Sequence, residues 1–436
     1  MRIERPNLLA CIEYTTAHHL HARLVGLAEA ISADLIAHGP WEYAIGLYST
    51  AMAAAQRVDD RSSQANALHT LGVVRRLANY EDAAAALQQA FDLYHDLGNR
   101  LGQANALHQL AMVRRLTGDY PGATTMLRQA LDLYHDLGDR LGQANVLLEL
   151  GAVRWASGNF PSATTTLQQA LDLYRDLDDR IGQSHALLEL GTVRAKTGDF
   201  PNATTTLQLA LDLFGDLGNR IGHAHVLLEL GTVRATTGDF PDATTRLQQA
   251  LDLYTHLGNR LGRAHALSHL GTVRRATGDF PDATTMLQQA LDIYRELGVR
   301  GGQADALKEL GTVRCEIGDF PDATTMLQQA LDIYRELGIR DGKAEVLNRF
   351  GTLHLREGNP EQSRVYHEDA LQLARSATSP LEEARALEGI GRCYSAVGEV
   401  NTAIGFLRQA LGIYQRVGAA EAPRFAAELR TTQVDW

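Results

Sequence analysis

Cysteine is scarce in this 436-residue chain: Cys11, Cys315 and Cys393 are scattered and odd in number. Three isolated thiols frame no disulfide network and no CxxC metal site, which fits a reducing compartment and predicts a cytoplasmic location. No run of about 18 apolar residues exists, so no membrane span is predicted. The N-terminus MRIERPNLLACIEYTTAHH lacks the apolar stretch of a secretory leader. Positive charge is in deficit. The 41 Lys and Arg against 52 Asp and Glu leave a net charge of -11, which argues against direct, non-specific attraction to nucleic acid or anionic lipid. Catalytic signatures are missing too: there is no HExxH, no paired-carboxylate motif and no nucleophile–base–acid set. The expectation is no enzyme, no cofactor and no metal. His18, His19 and His21 do not alter it, because one helical stretch cannot aim all three at one ion.

What the chain has is repetition. Pro281–Gly298 reads PDATTMLQQALDIYRELG, and Pro321–Gly338 reads the same eighteen residues. An arginine returns every 40 residues, from Arg100 through Arg140, Arg180, Arg220, Arg260 and Arg300 to Arg340. A fixed period of this size marks a solenoid, in which each unit packs only on its neighbours. In residues 301–340, Ala304, Leu307, Leu310 and Gly311 recur at helical spacing and define a helix A. Gly318-Asp319 breaks it. Pro321 suits the first turn of a helix B, where its missing N–H costs nothing. Ala323, Leu327, Ala330, Leu331 and Tyr334 form the apolar stripe of that helix, and Gly338 ends it. Short turns force the two helices antiparallel. Gly311, Ala323 and Ala330 permit close approach while Leu327 and Tyr334 fill the gaps.

The run Leu310-Gly311-x-Val313-Arg314 followed by Gly318-Asp319-Phe320-Pro321-x-Ala323, Leu327 and Ala330 resembles a tetratricopeptide repeat. That family's usual unit is 34 residues; the 40-residue unit is similar to the long-unit subclass of kinesin light chains and mitotic-spindle adaptors. The family's helix A aromatic is replaced by Arg75, Arg114, Arg154, Arg194, Arg234, Arg274 and Arg314. Each of these is expected to pair with a nearby acid. The resemblance implies an all-α, right-handed superhelix, an α-solenoid of about ten antiparallel helical hairpins. Residues 1–60 read as an N-terminal helical cap and degenerate repeat, with Gly39-Pro40-Trp41 at its turn. Residues 61–340 hold seven regular repeats, the first one residue short at its inter-helix turn. Two degenerate repeats follow at 341–420, and 421–436 closes the array through Phe425 and Leu429. The segment Glu4-Arg5-Pro6-Asn7-Leu8-Leu9 and its surroundings resemble the stretch that joins the nucleotide-binding module to the repeats in actinobacterial STAND regulators of the SARP-related group. No phosphate-binding GxxxxGKS-type loop accompanies it. This second resemblance implies the ligand-sensing arm of such a transcriptional regulator, without its ATPase and DNA-binding modules, as a fragment or a stand-alone protein.

In the tetratricopeptide family helix A lines the concave wall. Its non-core stripe varies between units where scaffold positions do not. The first slot runs through Asn66, Asn105, Asn145, His185, His225 and His265. The second includes Leu148, Leu188 and Leu228; the third includes Thr192, Thr232 and Thr272; the fourth includes Trp155, Ala235 and Arg275. Asparagine offers donors and an acceptor to an extended peptide, and the leucines with Trp155 offer an apolar strip. The predicted groove is therefore Asn66, Asn105, Asn145, Trp155, His185, Leu188, His225, Leu228 and His265. The expected partner is a protein or peptide segment, and self-association is left open.

Overall fold

The computed structural model describes residues 5–38, 41–78, 80–419 and 421–434; Glu4, Gly39 and Pro40 of the N-terminal readings lie outside them. Among the described residues there are twenty-two α-helices and no strand. None of these helices is long and apolar enough to cross a membrane. Two compact units divide the chain, Met1–Gly182 and Gln183–Trp436, with the boundary inside the helix Arg180–Lys196.

Each unit is an all-α solenoid whose helices pair in sequence. Arg100–Leu116 packs on Tyr120–Asp136 in the first unit, and Arg300–Glu316 packs on Phe320–Glu336 in the second. The turns follow from two residue types. Gly118 and Gly138 adopt left-handed backbone at φ 82° and 69°, which costs glycine nothing and stops the helix. The next polar residue then caps the following helix. Asn99 and Asp119 accept backbone N–H bonds from Gly102 and Gly122. Where glycine is absent the conformation persists: Thr378 has φ 52° on an exposed turn. A β-branched residue is strained there. Thr378→Gly is expected to raise stability by about 1 kcal/mol in thermal melts; an unchanged or lower melting temperature would count against the turn geometry.

Two glycine columns set helix spacing. A methyl built on Gly262 would lie 2.3 Å from the Tyr254 ring of the preceding helix B. One on Gly311 would lie 2.9 Å from Leu327 of the following helix B and 3.2 Å from the Ala323 carbonyl. Helix A is thus clamped from both sides with no room for a side chain at either position. Ala323, Leu327 and Ala330 are fully buried, as are the equivalent Ala123, Leu127 and Ala130. Phe425 and Leu429 are buried on the last helix, Glu421–Val434.

At Arg100, Arg140, Arg260 and Arg300 the recurrent arginine that opens helix A pairs with the acid that ends helix B of the same hairpin. Arg100–Asp136 at 2.6 Å and Arg140–Asp176 at 2.7 Å are examples, with both partners about half exposed. Such pairs contribute little, about 0–1 kcal/mol each. The arginines in the aromatic's place behave partly as expected. Arg114 meets Asp119 and Arg234 meets Asp242, but Arg154 and Arg194 instead donate to the hydroxyls of Thr166 and Thr206.

Candidate functional site

The first slot is tied inward. The Tyr134 hydroxyl donates to Asn105 Oδ1 at 2.6 Å, Tyr174 to Asn145 Oδ1 at 2.7 Å and Tyr94 to Asn66 Oδ1 at 2.8 Å. Asn66 also donates to Glu29 at 3.0 Å. These asparagine carbonyls join helix A to its own helix B, which leaves only amide N–H groups for a ligand. In the second unit, histidine occupies the slot against the same aromatic column. His185 meets Phe214 edge-on at 5.2 Å, and His225 and His265 stand 5.6 Å from Tyr254 and Tyr294. Burial, then the neighbouring histidines His265 and His185, lower the His225 pKa. Burial also lowers that of His265. Trp155 and Leu188 are half-buried. Leu228 departs from expectation: it is 5% exposed and packs with Leu227, Leu247, Tyr254 and Leu270 in the core. It is a core side chain and not a groove side chain, because the long helix A buries that position against the next hairpin.

The second unit encloses a cavity of about 770 Å³. Its walls come close because the unit's last hairpin returns to its first turn: a methyl on Gly198 would lie 2.6 Å from Val417 and 3.7 Å from Pro380. Thr232, Ala235 and Thr236 line it from the helix Arg220–Thr236, and His269, Thr272, Arg275 and Ala276 from Arg260–Ala276. Phe240 and Phe280 add apolar surface. Glu316, Arg349, Arg356, Arg385 and Glu421 complete the lining.

Most of its charges are already matched. Arg275 holds Glu309 at 3.2 Å and Glu316 at 2.7 Å. Arg385 holds Glu382 at 2.5 Å and Glu421 at 3.0 Å. Behind them Lys308 pairs with Glu345. Burial by itself would raise Glu309, yet Arg275 and Lys308 hold its carboxyl at about 2. His269 is held at about 4, chiefly by burial and then by His265, so it is neutral near pH 7. Two arginines make no direct ion pair, and one carboxylate is only partly satisfied. Arg349 has no hydrogen bond or ion pair among the described residues, and Arg356 donates only to the Cys315 carbonyl at 3.2 Å. Glu316 keeps one buried carboxylate oxygen without a partner. Among the described residues no group of three metal-ligating side chains converges. Burial raises the thiols of Cys315 and Cys393.

Sequence reasoning placed Thr232, Ala235, Thr272 and Arg275 on the variable stripe but passed over His269, Glu316, Arg349, Arg356 and Glu421. A signal for two of the five was present. One column reads Glu149, Glu189, Glu229, His269, Glu309, Arg349; another reads Ala156, Lys196, Thr236, Ala276, Glu316, Arg356. His269 and Arg349 break an otherwise acidic column, whereas the second column has no fixed type; all four line the cavity.

The chain matches the family model described as tetratricopeptide repeat over residues 102–176, 183–256, 262–336 and 342–416. Several solved structures share the fold. A Rap protein complexed with Competence and Sporulation Factor matches at 15% identity and a TM-score of 0.63, covering 82% of this chain and 98% of that one. The Rap conjugation gene regulator of the plasmid pLS20, in complex with a Phr peptide, matches at 14% identity and 0.57, covering 81% and 95%. The apo form of RapI matches at 11% identity and 0.50, covering 63% and 98%. No curated protein matches the chain.

Proposed function

The chain belongs to the tetratricopeptide repeat family, and from that premise we propose that it is a non-catalytic scaffold that takes a peptide segment into the cavity of its second unit. The observation that carries this reading is the cavity itself: about 770 Å³, with threonine and phenylalanine surface beside incompletely paired polar groups. That volume falls in the range of ligand pockets, roughly 300–1,000 Å³, and the mixture of apolar wall and few polar groups is their usual make-up. The Rap structures similar in fold were solved with Competence and Sporulation Factor and with a Phr peptide, which supports a peptide as the ligand class. The principal contacts fall on Thr232, His269, Thr272, Arg349 and Arg356. Within the second unit His185, Leu188, His225 and His265 stay in the proposal as secondary contacts, since each is half-buried or exposed; Asn66, Asn105, Asn145 and Trp155 stay as a separate proposed contact surface of the first unit.

Thr272→Trp tests the reading by filling the cavity from one wall. Panning a random peptide library displayed on phage against the parent protein is expected to enrich binders. The same library on Thr272→Trp is expected to return about tenfold fewer, with helical content and melting curve unchanged. Equal recovery on both proteins would place any binding elsewhere.

A further inference from the structure

We propose that the peptide bound in this cavity is acidic, with two carboxylates three residues apart in a polyproline II segment, one on Arg349 and one on Arg356. The inference rests on the peptide-binding reading above and adds the chemistry of the ligand. Arg349 and Arg356 are seven residues apart on one helix, Arg340–Arg356. Seven residues are close to two helical turns, so both side chains leave the same face, about 10.5 Å apart along the axis. A polyproline II segment has three residues per turn and rises about 3.1 Å per residue, so side chains three residues apart share a side and stand about 9 Å apart.

Both arginines line the cavity, and neither meets a carboxylate there among the described residues. Arg275 and Arg385 are different, because each already grips two acids. Arg349 is half-buried and feels Glu309 and Glu421 only from beyond ion-pair distance, and Arg356 is exposed, so both guanidinium groups keep their donors open to a ligand. Each presents a planar fork of donors that fits a carboxylate. The repeat gives an independent reason. Arg349 replaces the glutamate of Glu229 and Glu309, and Arg356 stands where Lys196, Thr236, Ala276 and Glu316 stand in other units. The scaffold therefore does not require a cation at either place. Carboxylates fit better than phosphates, since one guanidinium serves each position and Glu316 and Glu421 share the cavity. The free oxygen of Glu316 would accept a backbone N–H of the same peptide.

The test is the sequence content of peptides recovered from the random displayed library on four proteins: parent, Thr272→Trp, Arg349→Gln with Arg356→Gln, and Arg349→Glu with Arg356→Glu. Arg349 has no ion pair to lose, so the glutamine pair serves if the charge reversal fails to fold, with circular dichroism as the check. The expected result is enrichment on the parent of Asp or Glu pairs at a spacing of three. That enrichment should vanish on the glutamine variant and become Lys or Arg enrichment on the reversed one. A synthetic binder should lose about tenfold or more in affinity when either acid is changed to its amide. Parent-selected peptides without such pairs, or pairs that persist on the glutamine variant, overturn the acidic assignment while leaving peptide binding intact. Equal recovery on the parent and on Thr272→Trp overturns both.

Discussion

Leu228→Asp is expected to cost at least about 4 kcal/mol and to unfold much of the second unit under conditions where the parent is stable. The side chain is 5% exposed among Leu227, Leu247, Tyr254 and Leu270. Removing a buried leucine side chain costs about 2–5 kcal/mol through lost transfer energy and the cavity left behind. Putting a carboxylate in its place adds the penalty of a buried charge without a partner. Its chain neighbour Glu229 already has its carboxyl raised by burial, so a second acid beside it gains no counter-ion from that side. Leu188→Asp is the contrast. Leu188 is half-buried, and its substitution should cost less than half as much. Urea denaturation of each variant separately measures both. A Leu228→Asp protein within about 1 kcal/mol of the parent would mean that Leu228 faces the groove after all.

The difference between those two leucines shows where the sequence stops being informative. Both sit in the same slot of the repeat, and period alone gives them the same orientation. What separates them is how the next hairpin packs, which depends on pairs of residues far apart in sequence. The hairpins were legible because each is made by local rules: a left-handed glycine, a capping Asn or Asp, proline in the first turn, and a 3.6-residue stripe. The glycine columns were legible in part. Gly311 reads as a close contact from sequence, but its partner Leu327 and the second clamp of Tyr254 on Gly262 need the structure.

The site was legible in outline only. The variable stripe of helix A contains Thr232, Thr272 and Arg275, which line the second unit's cavity. The asparagine ladder was misread as free because the Tyr134 and Tyr174 hydroxyls come from helix B, 29 residues away, to occupy Asn105 and Asn145. Arg349, Arg356 and Glu421 were missed for a different reason. They matter only because the second unit returns on itself, with Val417 at Gly198, and no repeat-by-repeat reading contains that closure.

His367→Leu is expected to make the second unit markedly more resistant to acid. Leucine fills this column at Leu247, Leu287, Leu327 and Leu407; His367 takes its place once. Its ring is 2% exposed and lies against Gly351 and Gly389. Nδ1 donates to Asn348 Oδ1 at 3.0 Å. Nε2 is buried without a partner, so a second ring proton would have no acceptor among the described residues. Burial accordingly lowers the pKa to about 4, against about 6.5 in an unfolded chain. The sign follows from proton counting. Above pH 6.5 the ring is neutral in both states and imposes no pH-dependent cost. As pH falls from 6.5 toward 4 the unfolded chain takes up the proton first, so stability is lost across that window. At pH 5 the loss is about 2 kcal/mol, with a limit of about 3 kcal/mol below pH 4. Leucine removes this term. It also leaves Asn348 still donating to Glu382 at 2.9 Å. Urea denaturation at pH 7.5 and pH 5 should show the stability of His367→Leu relative to the parent rising by about 2 kcal/mol between the two. A difference that stays constant with pH would show that the His367 ring is protonated in the folded protein, or reached by water, and that acid sensitivity arises elsewhere.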